Sequence, residues 1–183
     1  MSKMREVFIS VDIETVGPIV GEHSMVSLGA CLAYAPDVDF SIMLQPISDR
    51  AVEEAVAVSG ISLAQAEREG VSPPVAMAQF DAWIAEQLSP GFIPVFVGLN
   101  APFDWGFVNY YFLNYLNRNP FGFTALDIKA LFMGVTGCSW RDTRSSSIAK
   151  RVKPLLHGNH NALRDAKYQA ELFRLVYELS QQK

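Results

Sequence analysis

The fold prediction starts from Val7-Phe8-Ile9-Ser10-Val11-Asp12-Ile13-Glu14-Thr15, a short apolar run that leads into two acidic residues. Residues 7–11 predict a largely buried strand, because a continuous apolar run of this length is typical of a sheet interior. Side chains of a strand alternate between its faces, so Asp12 and Glu14 are expected on the same face. Two carboxylates held together repel each other unless a cation lies between them. The pair therefore indicates either ligands for a hard cation such as Mg²⁺ or Mn²⁺, or a solvated strand end.

After this strand, apolar runs typical of strands are followed by segments whose apolar residues have the spacing of a helix. Residues 25–34 and 40–46, joined by Ala35-Pro36-Asp37, predict a hairpin on the same sheet, and residues 94–99 predict a second buried strand. Helices are predicted over residues 49–58, 74–88, 103–116, 127–133, 143–151 and 162–179, with a loop over 134–139. This order predicts an α/β fold in which helices cover a sheet, in a single domain over residues 1–183.

The composition excludes several classes of protein. Half of the 183 residues are apolar and 19% are charged, which excludes a disordered chain or a fibre. The longest uncharged stretch, residues 87–103, is broken by prolines and polar residues, whereas a membrane-spanning helix needs about 20 apolar residues. No signal-peptide pattern follows Met1, so we expect a cytoplasmic protein. Cys31 and Cys138 are too few for a disulfide framework and are expected to be buried thiols.

The net charge of −4 is unevenly distributed along the chain. Residues 1–139 carry six Lys/Arg against fifteen Asp/Glu, while residues 140–183 carry nine against four. The basic part is too small to hold a long duplex, which requires many phosphate contacts at once. Charge alone favours a solvated helix face, and a local anion-binding face is the alternative.

Two further segments place titratable residues where a strand ends or a helix begins. Asp104 follows the strand predicted at residues 94–99, where open α/β sheets gather ligands, although an acid there also suits a helix cap. His160 and Asp165 would point about 140° apart on one continuous helix. Both reach one site only if His160 lies on the loop before the helix. Histidine side chains titrate near neutral pH, so His160 is either a general base or a surface histidine beside a cap.

Taken together, three segments resemble, in order, the three exonuclease motifs of the DEDDh family. These segments are Asp12-Ile13-Glu14-Thr15, Asn100-Ala101-Pro102-Phe103-Asp104 and His160-Asn161-Ala162-Leu163-Arg164-Asp165-Ala166. Members of this family, among them RNase T, oligoribonuclease and the proofreading subunit of bacterial replicative polymerases, are 3′-to-5′ exonucleases. The resemblance runs from residue 7 to residue 173. It implies an RNase H-like fold, in which helices flank a mixed central sheet.

The resemblance implies a two-metal site that binds Mg²⁺ or Mn²⁺. Asp12, Glu14 and Asp165 would hold the first ion, Asp12 would bridge to the second, and Asp104 would support the second ion. His160 would be the general base that takes a proton from the attacking water.

The resemblance also implies contacts to the nucleic acid. Ile13 and Thr15 would line the terminal nucleotide and Asn100 would position the strand, while Phe103 is expected to pack beneath the site. Val16 and Leu99 depart from the Thr and His that many relatives have there, which affects contacts to the terminal sugar and base rather than metal ligands. With the family assigned, the basic stretch 140–153 is favoured to contact the phosphate backbone.

The implied function is a 3′-to-5′ exonuclease that releases nucleoside 5′-monophosphates from single-stranded or short nucleic acid. RNA is favoured only because the chain is similar in size to RNase T and oligoribonuclease, the small stand-alone members of the family. The alternative is a DNA exonuclease of proofreading or repair type. A non-catalytic nucleic-acid-binding domain is less favoured, because no ligand or base is missing. A homodimer is also expected, with the aromatic stretch 105–115 as candidate interface, although such spacing is more often core.

Overall fold

The structure, a computed structural model, describes residues 5–181. The prediction that no signal peptide follows Met1 partly concerns residues 1–4, which lie outside the described residues. Within residues 5–181, five strands form one sheet: β1 (Arg5–Thr15), β2 (Met25–Leu32), β3 (Ala35–Met43), β4 (Phe92–Gly98) and β5 (Ala125–Asp127). The helices of the described part are α1 (Glu53–Ser59), α2 (Leu63–Glu69), α3 (Pro73–Glu86), α4 (Ala101–Leu116), α5 (Ile128–Thr136), α6 (Ser145–Val152) and α7 (Ala162–Gln181), with a 3₁₀ turn at Trp140–Thr143.

The sheet is mixed, with strand order β3-β2-β1-β4-β5. β1 is central: it pairs antiparallel with β2 and parallel with β4. The parallel pairing ends at Ser10 opposite Val97, so the last residues of β1 extend past the end of β4. The chain turns there into α4, which brings the start of that helix beside the acidic end of β1.

Apolar side chains cover both faces of the sheet. The alternation of side chains along β1 determines on which face its acids lie. Ile9, Val11 and Ile13 belong to a core cluster with side chains of α3 and α4. The intervening positions of β1, including Asp12 and Glu14, therefore face the opposite side. That side carries a second cluster, formed with α5, α6 and α7. The predicted α/β architecture with helices on a sheet is confirmed.

Several predicted boundaries are wrong. Ala35-Pro36-Asp37 is not the hairpin turn: Leu32 pairs with Ala35, so the turn is Ala33-Tyr34 and the three residues begin β3. Proline is tolerated there because β3 is an edge strand, where a missing N–H donor costs no ladder bond. The predicted loop 134–139 is helical up to Thr136, where α5 ends before Gly137 in the left-handed region (φ 71°). Helix α2 and strand β5 were not predicted.

The structure shows how far the two cysteines and the aromatic stretch 105–115 are buried. Cys31 is fully buried, and this burial raises the pKa of its thiol to about 12. Cys138 is only half-buried, so the expectation of a buried thiol is wrong for it. The aromatic stretch 105–115 contributes Phe107, Tyr111 and Phe112 to the core, as its helical spacing favours. The homodimer stays a prediction, to be tested by light scattering.

Among residues 5–181, none of the helices combines the length and the apolar composition needed to cross a membrane.

Candidate active site

The site begins at the carboxyl end of β1, where Asp12 and Glu14 lie on the face that α7 covers. Glu14 is 7% exposed and Asp12 is half-buried. On the other side of the strand end, Asp104 lies in the first turn of α4 and is 6% exposed. Its Oδ1 accepts a hydrogen bond of 3.1 Å from the Ile13 N–H, a group beyond the end of the pairing with β4. This carboxylate therefore joins α4 to β1 and is not a helix cap.

A close approach of α7 to the sheet brings the fourth acid to the same place. Asp12 is in register with Gly29 on β2. A Cβ atom on Gly29 would clash with backbone atoms of Ala162 and Leu163 at the start of α7. Only glycine lets the first turn of that helix lie directly on the strand. Asp165, in the same turn, is thereby held over the end of β1.

Asp165 also organises the loop that carries the histidine. Its Oδ1 accepts a hydrogen bond of 2.7 Å from Asn159 N–H, and its Oδ2 accepts one of 3.0 Å from His160 N–H. His160 has a left-handed backbone (φ 58°) and precedes α7. The structure thus places His160 on the loop and Asp165 on the first turn, as the sequence predicts. One ligand atom each of Glu14, His160 and Asp165 lie within 4.8 Å of one another.

The carboxylates of the clustered acids repel one another. Burial and the neighbouring Asp104, Asp165 and Glu14 raise the pKa of Asp12 well above its usual value. Burial, followed by the charge of Asp165, raises the pKa of Glu14 to about 7. Burial also raises the pKa of Asp104 to about 7, with smaller contributions from Glu14 and Asp127, against the hydrogen bond from Ile13. Clustered oxygen ligands whose negative charge is not balanced are the donor set that suits a hard divalent cation.

Sequence reasoning missed Gln169, a buried residue (4% exposed) one turn after Asp165 on α7. Its Nε2 donates a hydrogen bond to Asp12 Oδ1, and its Oε1 accepts one of 2.7 Å from Leu99 N–H at the end of β4. This amide therefore links α7, β1 and β4 at the site. The available signal was a polar residue on the inward face of α7, four positions after Asp165.

Two pockets lie beside the acids. The larger, about 740 Å³, is lined by Asp12, Leu99, Arg144, Ser145, Ser146, Ala149, His157, Gly158, His160, Asp165, Tyr168 and Gln169. The smaller, about 330 Å³, is lined by Ile13, Glu14, Thr15, Glu54, Ala55, Val58 and Phe103. Phe103 is 39% exposed, so the expectation that it packs beneath the site is wrong.

Asn100 and part of the basic stretch also lie at the site. Asn100 is exposed, has a left-handed backbone (φ 66°), and accepts a hydrogen bond of 3.3 Å from Lys129 Nζ. Arg144 is the basic residue of stretch 140–153 that lines the larger pocket. The structure therefore gathers all five predicted acid and histidine residues at one end of the sheet, with the predicted substrate contacts beside them.

Solved structures share this fold. The nuclease domain of 3′hExo, a DEDDh family member, bound to rAMP, has a TM-score of 0.75 at 15% identity and covers 97% of this chain and 95% of that one. Escherichia coli exonuclease I in complex with a dT13 oligonucleotide has a TM-score of 0.74 at 17% identity, over 97% of this chain and 42% of that one. Cell-death related nuclease 4 (CRN-4) has a TM-score of 0.73 at 16% identity, over 96% of this chain and 65% of that one. These likenesses show that the chain has the RNase H-like fold.

Sequence comparison gives the family. The Exonuclease (RNase_T) family model matches residues 9–173. The 3′-5′ DNA exonuclease Cap18 of Escherichia coli is 53% identical over 179 residues, which is 98% of this chain and 96% of the relative. The chain belongs to this exonuclease family and is a DEDDh-type 3′-to-5′ exonuclease, a phosphodiester hydrolase. The alternative of a domain without catalysis is not supported.

Proposed function

We propose that this protein uses two divalent metal ions to remove nucleoside 5′-monophosphates from the 3′ end of single-stranded DNA, within a single exonuclease domain. The observation that carries the proposal is the cluster of four carboxylates at one end of the sheet, those of Asp12, Glu14, Asp104 and Asp165. Burial and the charges of neighbouring acids raise the pKa of the first three. Such a cluster is stable only when a cation or protons neutralise it.

The residues present fit a pair of Mg²⁺ or Mn²⁺ ions. Glu14 and Asp165 have ligand atoms within reach of one ion, and Asp12 is close enough to Glu14, Asp165 and Asp104 for their charges to raise its pKa. Asp12, Glu14 and Asp165 would hold one ion, while Asp12 and Asp104 would hold the other. When bound, such ions supply the positive charge that activates the attacking water and stabilises the leaving 3′ oxygen.

His160 is proposed as the general base. It is exposed on the loop before α7, so its side chain has access to solvent water and to the larger pocket. The hydrogen bond between its N–H and Asp165 holds the backbone of the loop beside the acids. His160 would take the proton of the attacking water as the phosphodiester bond breaks.

The smaller pocket is proposed to hold the 3′-terminal nucleotide. Ile13, Thr15 and Phe103 line it next to Glu14, so a base and sugar fit there with the phosphate at the carboxylates. Asn100 lies at the start of α4, where it would position the preceding part of the strand.

DNA is the proposed substrate because the 53% identical relative is named a DNA exonuclease. The structures with the same fold include one bound to rAMP and one in complex with a dT13 oligonucleotide, so the fold does not discriminate between the two sugars. The RNA preference predicted from chain size has no support in these observations, and RNA becomes an arm of the test.

The test is hydrolysis of 5′-labelled and 3′-labelled single strands of DNA and RNA of the same sequence, with Mn²⁺, Mg²⁺ or EDTA. We expect a metal-dependent ladder that shortens DNA from its 3′ end. Asp12→Asn should abolish it, because the carboxylate proposed to hold both ions is lost. The fold should be preserved, because the side chain keeps its size and loses a charge that its neighbours repel. Asp37→Asn, an exposed acid on β3, is the matched control and should retain activity. Cleavage in EDTA, cleavage by Asp12→Asn at the normal rate, or cleavage restricted to RNA would contradict the proposal.

A further inference from the structure

Trp140 is an exposed aromatic side chain close to the active site. It is 53% exposed, and Lys129 Nζ lies 4.5 Å from its ring centroid. Trp83 and Trp105, the other two tryptophans, pack against the core. An exposed indole beside a cation is the chemistry that binds single-stranded nucleic acid, because bases stack on the ring and phosphates pair with the cation.

Contacts on both sides connect Trp140 to the active site. Lys129 Nζ also donates a hydrogen bond of 3.3 Å to Asn100 Oδ1, and Asn100 directly follows Leu99, which lines the larger pocket. On the other side, the 3₁₀ turn that starts at Trp140 is followed by Arg144, which lines the same pocket. The pair of Lys129 and Trp140 therefore lies on a continuous surface with that pocket.

The fold holds this surface in place. Thr143 is fully buried, and its hydroxyl donates a hydrogen bond of 2.7 Å to the Trp140 carbonyl. Asp127 caps α5 by accepting from Lys129 N–H at 2.6 Å, which fixes the backbone that carries the lysine. A surface anchored in this way loses little conformational freedom when a ligand binds.

The charge of this surface suits a phosphate backbone. Arg141 and Arg144 follow Trp140 in sequence and are exposed. The acid among them, Asp142, accepts a hydrogen bond of 2.7 Å from the Ser139 hydroxyl. Lys129 lies over the exposed ring, and Arg141 and Arg144 add two exposed cations within four residues of Trp140, one of them lining the larger pocket.

We propose that Trp140 and Lys129 form a binding platform for the nucleotides on the 5′ side of the scissile bond, beyond the one nucleotide that adjoins that bond. One base stacks on Trp140, and Lys129 and Arg144 contact its phosphates. The inference rests on the proposed function, in which the 3′-terminal nucleotide occupies the smaller pocket. Because every base has an aromatic face, the platform binds single strands irrespective of sequence.

The first test compares a dinucleotide, which is too short to reach the platform, with a twelve-nucleotide single strand. Trp140→Ala should raise KM for the long substrate at least about fivefold, the lower end expected for loss of one base–aromatic stack. KM for the dinucleotide and kcat for both should stay unchanged, and Trp140→Phe should restore most of the loss. The matched control is Phe123→Ala, an aromatic that is 94% exposed and precedes β5, whereas Lys129 follows that strand.

The second test separates stacking from charge. Binding of the long strand is measured on the Asp12→Asn background, where substrate is not consumed, at several salt concentrations. Lys129→Gln should reduce the slope of log K against log salt by about 0.7, the value for one phosphate contact to a single strand. Trp140→Ala should weaken binding without changing the slope. Arg118→Gln, two residues beyond the end of α4, is the charge-matched control and should leave both unchanged.

The results separate this inference from the function on which it rests. If the wild-type protein hydrolyses neither substrate, the proposed function fails. If it hydrolyses both and Trp140→Ala and Lys129→Gln leave the ratio of long to short substrate and the salt slope unchanged, the platform is refuted. Thermal melting of each variant verifies folding, and the salt slope of Lys129→Gln tests the platform even if Trp140→Ala fails to fold.

Discussion

Replacing Gly29 with alanine should damage the active site from a strand that contributes none of its ligands. The new Cβ would lie under the 3.0 Å limit that real Cβ atoms respect, against backbone atoms of Ala162 and Leu163. Backbone cannot escape by changing a rotamer, so the start of α7 has to withdraw from β2. Asp165 and Gln169 lie on that helix and would move away from Asp12 together.

The magnitude follows from the size of the clash. To reach ordinary van der Waals contact, which begins at 3.4 Å, the first turn of α7 has to shift by about 1 Å. A displacement of about 1 Å of catalytic groups costs on the order of 100-fold in rate. Overpacking of this kind costs about 1–3 kcal/mol of the free energy of unfolding, so the variant should still fold.

The assay measures kcat, KM and the Mn²⁺ concentration for half-maximal activity, together with the free energy of unfolding. We expect kcat to fall about 100-fold and the Mn²⁺ requirement to rise, because the ligands separate. Gly134→Ala is the matched control: Gly134 lies in α5 and a Cβ there meets nothing within 4 Å. That control should stabilise the protein by about 0.5–1 kcal/mol without affecting activity.

Wild-type kcat and Mn²⁺ requirement in Gly29→Ala would contradict the predicted displacement of α7. So would a loss of activity only in proportion to the unfolded fraction, because the effect would then be one of stability rather than of ligand placement.

Three further predictions concern neighbouring residues and pH. Gln169→Leu leaves the Leu99 N–H unpaired and removes the hydrogen bond to Asp12, so it should cost about 1–3 kcal/mol of stability. It should also reduce kcat/KM about 10–100-fold and raise the metal requirement. An unchanged metal requirement in a titration would show that Gln169 is only structural. Without metal, the raised pKa values of about 7 for Glu14 and Asp104 mean that the folded state binds more protons than the unfolded state between pH 4.5 and 7. The free energy of unfolding in EDTA should therefore fall as pH rises through that range, by up to about 1.4 kcal/mol per pH unit and group, and Mg²⁺ should restore it; denaturation curves with no pH dependence in EDTA would contradict the acid cluster. Glu171 accepts hydrogen bonds from Leu155 N–H at 2.9 Å and from Leu156 N–H at 2.8 Å. Glu171→Gln weakens this anchor by about 1 kcal/mol, so it should loosen the loop before His160 and lower kcat about fivefold. Unchanged kcat in steady-state assays would show that the anchor does not support the histidine.

Local pattern predicts most of the strands and helices, and it singles out the acids that the structure gathers at the end of β1. The apolar run before Asp12 and the two-residue spacing to Glu14 place both acids on one face, and the structure shows them there. The distance from His160 to Asp165 predicts a loop followed by a helix, because the alternative helical geometry separates their side chains. Strand periodicity and helix geometry depend on neighbours within a few residues, so these features can be deduced from sequence.

Contacts between distant segments could not be deduced in this way. Gly29 is an ordinary strand residue in sequence, and its importance comes from the backbone of α7, which packs against it only in the folded chain. Gln169 has no motif, and its partners are 157 and 70 residues away. The raised pKa values of Glu14 and Asp104 likewise depend on burial by elements far apart in sequence. Periodicity therefore selects which side chains share a face, whereas the packing of α4 and α7 on the end of β1 brings the four carboxylates together.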